Sequence, residues 1–312
     1  MSLERALELA ERGRGTTYPN PIVGAVVVSD GAVIGEGWHQ RKGEAHAEVI
    51  ALESAGERAQ GATLFVTMEP CTHHGSTPPC TEAVLAAGVA KVVAGSLDPN
   101  PEARGGLDVL RAAGVETEHA DLFAARVQNE AWRVWVAAGR PFVILKLALT
   151  LDGRVAVPGT RWITGEESRR RVHELRAQVD AVAVGMGTVR ADDPQLTARD
   201  IGAVRQPRRL AFGSGPLPDR SELELRTGAL DDELASLAAD GVQTLLLEGG
   251  PTLAESFLRA DLVDKVLLFV APEIAGSGPS FAPELPTPVE LTRFTVEQVG
   301  DDLLLSGYVH EP

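Results

Sequence analysis

Apolar positions recur along this chain in two rhythms that alternate. Residues 2–13 set apolar side chains at helical spacing among charges, and continuous apolar runs at 22–28 and 32–38 suit strands. A helical pattern from Ala45 to Ala55, a strand over Thr63–Thr67, a helical TEAVLAAG and a strand over Lys91–Ala94 extend the series. After the turn-rich DPNPEARGG at 98–106, LDVLRAAGVE predicts one more helix and strand, and a single long helix is expected from Leu122 to Ala138. Gly139, Arg140 and Pro141 stop that helix, so the spacing predicts two domains, residues 1–139 and 140–312.

A second alternating series starts with the strand FVILKLALT. It continues through a helix at Glu166–Gln178, a strand DAVAVG, a turn-rich DDPQLTARD and a strand near Arg209–Phe212. TLLLEGG then opens into a helix at 252–259, and strands at 264–270, 293–299 and 302–309 end the chain. Helices interleaved with short apolar strands predict α/β layers in both halves.

Composition narrows the partners. No apolar run among the 312 residues approaches the roughly 20 needed to span a membrane. The opening MSLERALELAERGRG lacks the apolar centre of a signal peptide, so a cytoplasmic location is expected. A net charge of −15 without a basic cluster disfavours nucleic acid. Small anionic substrates stay open, because one or two placed arginines hold a phosphate against that charge. With Cys71 and Cys80 the only cysteines, reduced thiolates are expected rather than a disulfide framework. A homo-oligomer is compatible with all of this.

The strongest chemical signal is His46-Ala47-Glu48 at a helix start, followed by Pro70-Cys71 and Pro79-Cys80. One imidazole and two thiolates bind zinc and leave a fourth position for water, whose pKa the metal lowers toward neutrality. Glu48 is then free to carry protons to a leaving amine. This H-x-E…P-C pattern is the signature of the zinc nucleobase deaminases, although the two cysteines are more widely spaced here than usual. Taken alone, His46 as a helix cap and two buried apolar cysteines would account for the same residues. His73 and His74 are rival ligands, but they would close the coordination shell, so they are expected in the substrate pocket or a loop.

EPCTHHGSTPPCTEA (69–83), TTYPNPIVGAVVV (16–28) and GEGWHQRKGEAHAE (35–48) closely resemble the deaminase half of the bifunctional riboflavin-biosynthesis deaminase–reductase family. The resemblance implies a cytidine-deaminase-like three-layer domain with zinc on His46, Cys71 and Cys80 and Glu48 as proton shuttle. The implied substrate is 2,5-diamino-6-ribosylamino-4(3H)-pyrimidinone 5′-phosphate, deaminated at C2, with Asn20 and His39 at polar positions of its pocket.

In the second half, LKLALTLDGRVA (145–156), RWITGEESRR (161–170), VGMGTVRADDPQLTAR (184–199) and LEGGPTLAESFL (247–258) resemble the reductase half of the same family. A dihydrofolate-reductase-like α/β domain follows, which would reduce the ribosylamino group to ribitylamino with NADPH. By that resemblance Ala148, Trp162, Thr188, Asp192 and the turn Gly250, Pro251, Thr252, Leu253, Ala254, Glu255 and Ser256 hold NADPH. Thr160, Arg176, Leu196, Arg199 and Glu248 contact the sugar phosphate. From the residues alone, the glycine turn before a helix offers N–H groups to a phosphate but is not a G-x-G-x-x-G fingerprint. Lys146, inside an apolar strand, is expected either to face substrate or to sit in an ion pair. The segment between Arg199 and Glu248 is shorter than expected for the family, which loosens the choice between NADPH and NADH. Arg205, Arg208 and Arg209 are the cations at hand to restore it.

Overall fold

The computed structural model describes residues 2–75, 77–281 and 284–312, which form two compact units, Met1–Ala138 with Pro312, and Gly139–Glu311.

The first unit runs α1 (Ser2–Glu11), β1 (Gly24–Ser29), β2 (Ala32–Trp38), α2 (Ala47–Ala55), β3 (Thr63–Val66), α3 (Cys80–Ala87), β4 (Lys91–Ala94), α4 (Gly106–Ala112), β5 (Glu116–His119), α5 (Phe123–Gln128) and α6 (Glu130–Ala138). Its sheet has the order β2-β1-β3-β4-β5; β1 pairs antiparallel with β2 and β3, and β3, β4 and β5 are parallel. Alternation along β1 decides the layering. Ala25 and Val27 face the core built with α2, α3 and α4, while Val26 faces Ala6 and Leu9 of α1. The sheet is therefore covered on both sides.

Small residues let two helices lie almost on the sheet backbone. A Cβ on Gly24 would stand 2.0 Å from the Ala6 carbonyl oxygen, and one on Gly35 or Gly37 would stand 2.2 or 2.4 Å from the carbonyls of Ala51 or Ala47. The Gly35-Glu36-Gly37 stretch of β2 thus fixes how close α2 comes, and with it the position of His46.

The long helix expected over 122–138 is two helices, because the chain breaks at Asn129. The Asn129 side chain is buried and bonds both edges of Ile22, accepting from its N–H at 2.9 Å and donating to its carbonyl at 2.9 Å. Asn129 itself has φ of −121° and ψ of 25°, off the helical geometry of its neighbours.

The second unit contains β6 (Phe142–Thr150), α7 (Glu166–Gln178), β7 (Ala181–Gly185), α8 (Met186–Asp192), β8 (Arg208–Phe212), β9 (Glu224–Arg226), α9 (Leu230–Ala239), β10 (Thr244–Leu247), α10 (Pro251–Arg259), β11 (Lys265–Ala271), β12 (Thr292–Val299) and β13 (Asp302–Tyr308). Strand order is β12-β13-β11-β6-β10-β7-β8-β9; the six strands from β11 to β9 are parallel to their neighbours, and β13 and β12 turn antiparallel. β6, β7 and β10 are nearly continuous apolar runs, as strands buried on both faces must be. Buried Asp264 accepts from both Nη atoms of Arg140 at 2.7 Å and from the Val143 amide at 2.8 Å, tying the start of β6 to the loop before β11. Three elements have no counterpart in the sequence reading: α8, β9 and α9. α9 carries Asp231, Asp232 and Glu233 in its first turn, where acids favour the helix dipole, and buries Leu234 and Leu237.

Candidate active sites

Two helix starts converge in the first unit. His46 is the extended N-cap of α2, and Cys80 is the first residue of α3, capped by Pro79. Cys71 arrives on the loop after β3, which is held by the Thr81 amide on the Cys71 carbonyl and the Thr72 amide on the Ala103 carbonyl at 3.3 and 3.0 Å. The loop also depends on Gly106, where a Cβ would collide with the Pro70 carbonyl at 1.8 Å. His46 Nδ1 lies 3.1 Å from Cys80 Sγ and 3.6 Å from Cys71 Sγ, and the three donor atoms lie within 4.8 Å of one another. One ion with bonds of about 2.0–2.3 Å reaches all three.

The charges suit a cation. Hydrogen bonds from the Cys80 thiol, His46 and the Cys80 amide hold the Cys71 thiol low against its burial. The same contact with Cys71, and burial, push Cys80 up, so the pair keeps one proton that a divalent cation would displace. Glu48, the second residue of α2 and 3% exposed, makes no fourth member of the set; burial pushes its carboxyl to about 7, where it both takes and gives protons near neutrality. Among the described residues this is the one group of His, Cys, Asp or Glu side chains spaced to hold a metal.

A cavity of about 350 Å³ opens onto the set, with Asn20, His39, Glu48, His73, Trp132 and Trp135 in its wall. His39 is buried, with Nδ1 3.2 Å from the Ala45 carbonyl and Nε2 3.3 Å from Asn20 Nδ2. A carbonyl only accepts, so Nδ1 donates to it and Nε2 accepts from Asn20; burial lowers the His39 pKa and keeps the ring neutral. The rival ligands separate: His73 lines the cavity, whereas His74 is exposed and lies 3.3 Å from Glu82. Trp132, Trp135 and Asp98 were missed by sequence reasoning, although two tryptophans three residues apart on one helix face were legible.

In the second unit Lys146 and Ala148 share one face of β6, and Lys146 Nζ lies 3.8 Å from Glu248 at the end of β10. Glu248 accepts from Arg176 Nε and Nη2 at 2.6 and 2.9 Å, and Arg176 Nη1 donates to the Thr197 carbonyl at 3.2 Å. Of the two readings of Lys146, the ion pair is present. Burial would raise Glu248, but Lys146 and Arg176 pull it below its ordinary value.

The glycine turn starts α10 with Gly250 as N-cap and Pro251 in its first turn, and a Cβ on Gly250 would meet Thr188 Oγ1 at 3.5 Å. Thr188 and the turn are thus neighbours, at the carboxyl ends of the adjacent parallel strands β7 and β10. Within the turn residues, Ala254 is fully buried, Glu255 pairs with Arg259 at 2.7 Å and Ser256 Oγ donates to the Thr252 carbonyl at 2.9 Å. That leaves the backbone N–H groups of the first turn and the exposed Thr252 hydroxyl as the donors on offer, next to Leu253, which packs against Gly249. Leu196 is buried with φ of 53°, Arg199 and Asp192 are exposed, and Thr160 is exposed with its hydroxyl on the Val157 carbonyl. Trp162 is exposed too, with Arg161 and Arg169 stacked 5.0 and 5.2 Å from its ring centre. Arg205, Arg208 and Arg209 are committed: to Asp180 at 2.9 Å, to Glu224 and Asp240 at 2.6 and 3.1 Å, and to Glu222 at 2.7 Å.

Residues 2–96 match the cytidine and deoxycytidylate deaminase zinc-binding region, and residues 141–305 match the RibD C-terminal domain. The chain is 38% identical to the riboflavin biosynthesis protein RibD of Aquifex aeolicus over 97% of its length and 96% of the relative's. To the RibD of Mycobacterium tuberculosis H37Rv it is 41% identical, over 96% and 94%. It superposes on RibD of Acinetobacter baumannii with a TM-score of 0.79 at 36% identity, covering 98% of this chain and 97% of that one. A structure from Thermotoga maritima described as a diaminohydroxyphosphoribosylaminopyrimidine deaminase and 5-amino-6-(5-phosphoribosylamino)uracil reductase matches with the same score at 35% identity, with the same coverage. The folds are accordingly cytidine-deaminase-like in the first unit and dihydrofolate-reductase-like in the second. No helix among the described residues is long and apolar enough to cross a membrane.

Proposed function

Because this chain belongs to the RibD family of bifunctional riboflavin-biosynthesis enzymes, which deaminate and then reduce, we propose that each step runs on a particular set of its residues. Deamination belongs to residues 1–139 and reduction to 140–312. The first substrate is 2,5-diamino-6-ribosylamino-4(3H)-pyrimidinone 5′-phosphate.

His46, Cys71 and Cys80 hold zinc, which when bound supplies an acidified water at neutral pH. Glu48 takes a proton from that water's side of the cavity and returns it to the departing amine, a task its near-neutral pKa suits. Neutral His39 fixes the orientation of Asn20, whose Oδ1 and second Nδ2 hydrogen are offered to the pyrimidine. Buried Trp132 gives the cavity an apolar wall.

In the second unit the first turn of α10, together with Thr188, receives the phosphates of NADPH, which supplies hydride when bound. Ala148, Asp192 and Trp162 flank that path. Arg199, with its guanidinium exposed, meets the 5′-phosphate; Arg176, Glu248 and Lys146 form a buried network beneath the ribose, and Thr160 and Leu196 border it. The protein's part in reduction is to bring ribosyl C1′ and the nicotinamide to near-attack distance.

The observation that carries this reading is the His46–Cys71–Cys80 triad with Glu48 buried beside it, in a chain whose second unit matches the reductase half. Supplying the ribotide with and without NADPH tests it. Without NADPH the product should have one amino group replaced by oxygen; with NADPH it should also gain two hydrogens. An unchanged ribotide under both conditions refutes the reading.

A further inference from the structure

The 195–199 segment, which has no regular secondary structure, is held in place from three sides by side chains. Gln206 takes both backbone edges of Ala198: its Oε1 accepts from the Ala198 N–H at 2.8 Å and its Nε2 donates to the Ala198 carbonyl at 2.7 Å. One residue earlier, the Thr197 carbonyl accepts from His173 Nδ1 at 3.0 Å and from Arg176 Nη1 at 3.2 Å, both on α7. From β8, Arg209 Nη1 donates to the Gln195 carbonyl at 3.3 Å. Between these fixed points Leu196 is buried with φ of 53°, a conformation a branched side chain rarely adopts unless its surroundings impose it. Arg199 ends the segment with its amide 3.4 Å from His173 Nδ1 and its exposed guanidinium 3.5 Å from Gln195 Oε1 and Thr197 Oγ1.

We infer that Gln206 and His173 are positioning residues that hold this segment in its strained form, so that Leu196 and Arg199 are presented to the sugar phosphate in one geometry. The inference rests on the substrate reading given above for those two residues. Gln206 suits the task because its planar amide donates from one atom and accepts at the other, matching the two edges of one backbone residue. A glutamate of the same shape keeps the acceptor for the Ala198 amide but sets a carboxylate against the Ala198 carbonyl, and methionine removes both bonds. His173 contributes from the helix that also carries Arg176, so the segment and the Arg176–Glu248 pair are fixed as one body. Without the clamp the segment can relax toward an unstrained φ at Leu196, and Arg199 loses its fixed origin.

The test uses the full-length, zinc-loaded protein with the already deaminated substrate, phosphorylated and dephosphorylated. Gln206→Glu and Gln206→Met should each raise KM for the phosphorylated substrate by about tenfold, the effect of losing one charge-assisted contact. The KM ratio between dephosphorylated and phosphorylated substrate should shrink with it, while ammonia release and KM for NADPH stay within about twofold. Arg199→Ala is measured beside them. If it raises KM and both Gln206 variants do not, the positioning role is wrong and the substrate reading stands; if none of the three changes KM, both fall. A Gln206 variant that raises KM for the two substrates equally, or loses kcat and Tm together, has only a structural role, and the inference is overturned.

Discussion

Arg176 grips Glu248 through two hydrogen bonds of 2.6 and 2.9 Å, with both side chains nine-tenths or nearly so out of water and Lys146 Nζ 3.8 Å away. Two cations, from α7 and β6, meet one carboxylate at the end of the strand that leads into the glycine turn. Glu248→Gln leaves both cations buried without an anion, which costs about 3–5 kcal/mol. Differential scanning calorimetry should show a drop of at least about 6 °C in the transition of the second unit. Arg199→Ala, at an exposed position, should move it by less than about 0.5 kcal/mol. Equal effects from the two variants would mean the network is not under stress when its anion is removed.

Zinc and proton transfer separate by mutation. The purified protein should carry close to one zinc per chain, and Cys80→Ala should lose it, since two remaining ligands hold zinc weakly. Glu48→Gln should keep the zinc and the reduction of deaminated substrate but release no measurable ammonia. Metal analysis beside an ammonia assay decides; zinc lost from Glu48→Gln would make Glu48 a ligand and not a proton carrier.

Asp98 lies in the cavity wall, its carboxylate accepting from the Asn100 amide at 2.8 Å and its own amide donating to Glu69 Oε2 at 3.2 Å. Burial, joined by the nearby Glu69 charge and opposed by the Asn100 bond, pushes its pKa up to about 6. An acid raised in the folded state adds stability below its unfolded pKa and loses it as pH rises through the folded value. Asp98→Asn should therefore stabilise the first unit by roughly 1–3 kcal/mol at pH 8, and the gain should shrink as pH falls through 6. Urea titrations at several pH values measure it. A gain independent of pH would show that the buried charge is not its source.

Much of this was legible because it is local. The period of FVILKLALT marks a buried strand, Gly250-Pro251 marks a helix start, and His46 with Glu48 at one helix start marks residues that the fold brings to one cavity with Cys71. What escaped depends on distant residues. Nothing around Asn129 announces a break: the apolar rhythm runs through it unchanged, and the partner of its side chain, Ile22, is 107 positions away. The Arg176–Glu248 pair is separated by 72 positions, so the sequence offered Arg176 to a phosphate without showing the carboxylate that already holds it. α8 was hidden by length: its seven residues carry two buried side chains, too few for a helical period to emerge.

The close seat of α2 makes a sharp prediction. A Cβ on Gly37 would stand 2.4 Å from the Ala47 carbonyl and 2.6 Å from the Ala51 amide, both backbone atoms that no rotamer change can move. Gly37→Ala must lift the start of α2, where His46 is the N-cap. Overpacking of this kind costs about 1–3 kcal/mol. Zinc affinity, read by competition with a chromogenic chelator, should fall at least about tenfold, as for a shifted ligand. Reduction of deaminated substrate should be unaffected. Unchanged zinc affinity would show that α2 has slack the glycines conceal.

Choice of nicotinamide nucleotide turns on which cation is free to meet a 2′-phosphate. The arginines the sequence offers for a 2′-phosphate are occupied, Arg205 by Asp180, Arg208 by Glu224 and Asp240, and Arg209 by Glu222. A cation spent on a carboxylate gains less from a new phosphate, because the old pair must first be broken. Arg190 is placed differently: it is exposed, lies on α8 two residues beyond Thr188, and donates to the Ser214 carbonyl at 2.7 Å. The Gly213–Gly215 loop, whose glycines have φ of 126° and 109°, lies against its guanidinium. Its bond is to a neutral carbonyl, which leaves its charge for a phosphate. A single charge-assisted contact is worth about 1.5–3 kcal/mol, or roughly ten- to a hundredfold. NADPH should therefore be preferred over NADH in kcat/KM by about that factor, with measurable activity from both, and Arg190→Ala should bring the ratio down toward one. A preference above about a thousandfold would require a second recognition group. An unchanged ratio in Arg190→Ala would remove this arginine from cofactor choice, and reduction with neither nucleotide would remove the second unit from catalysis.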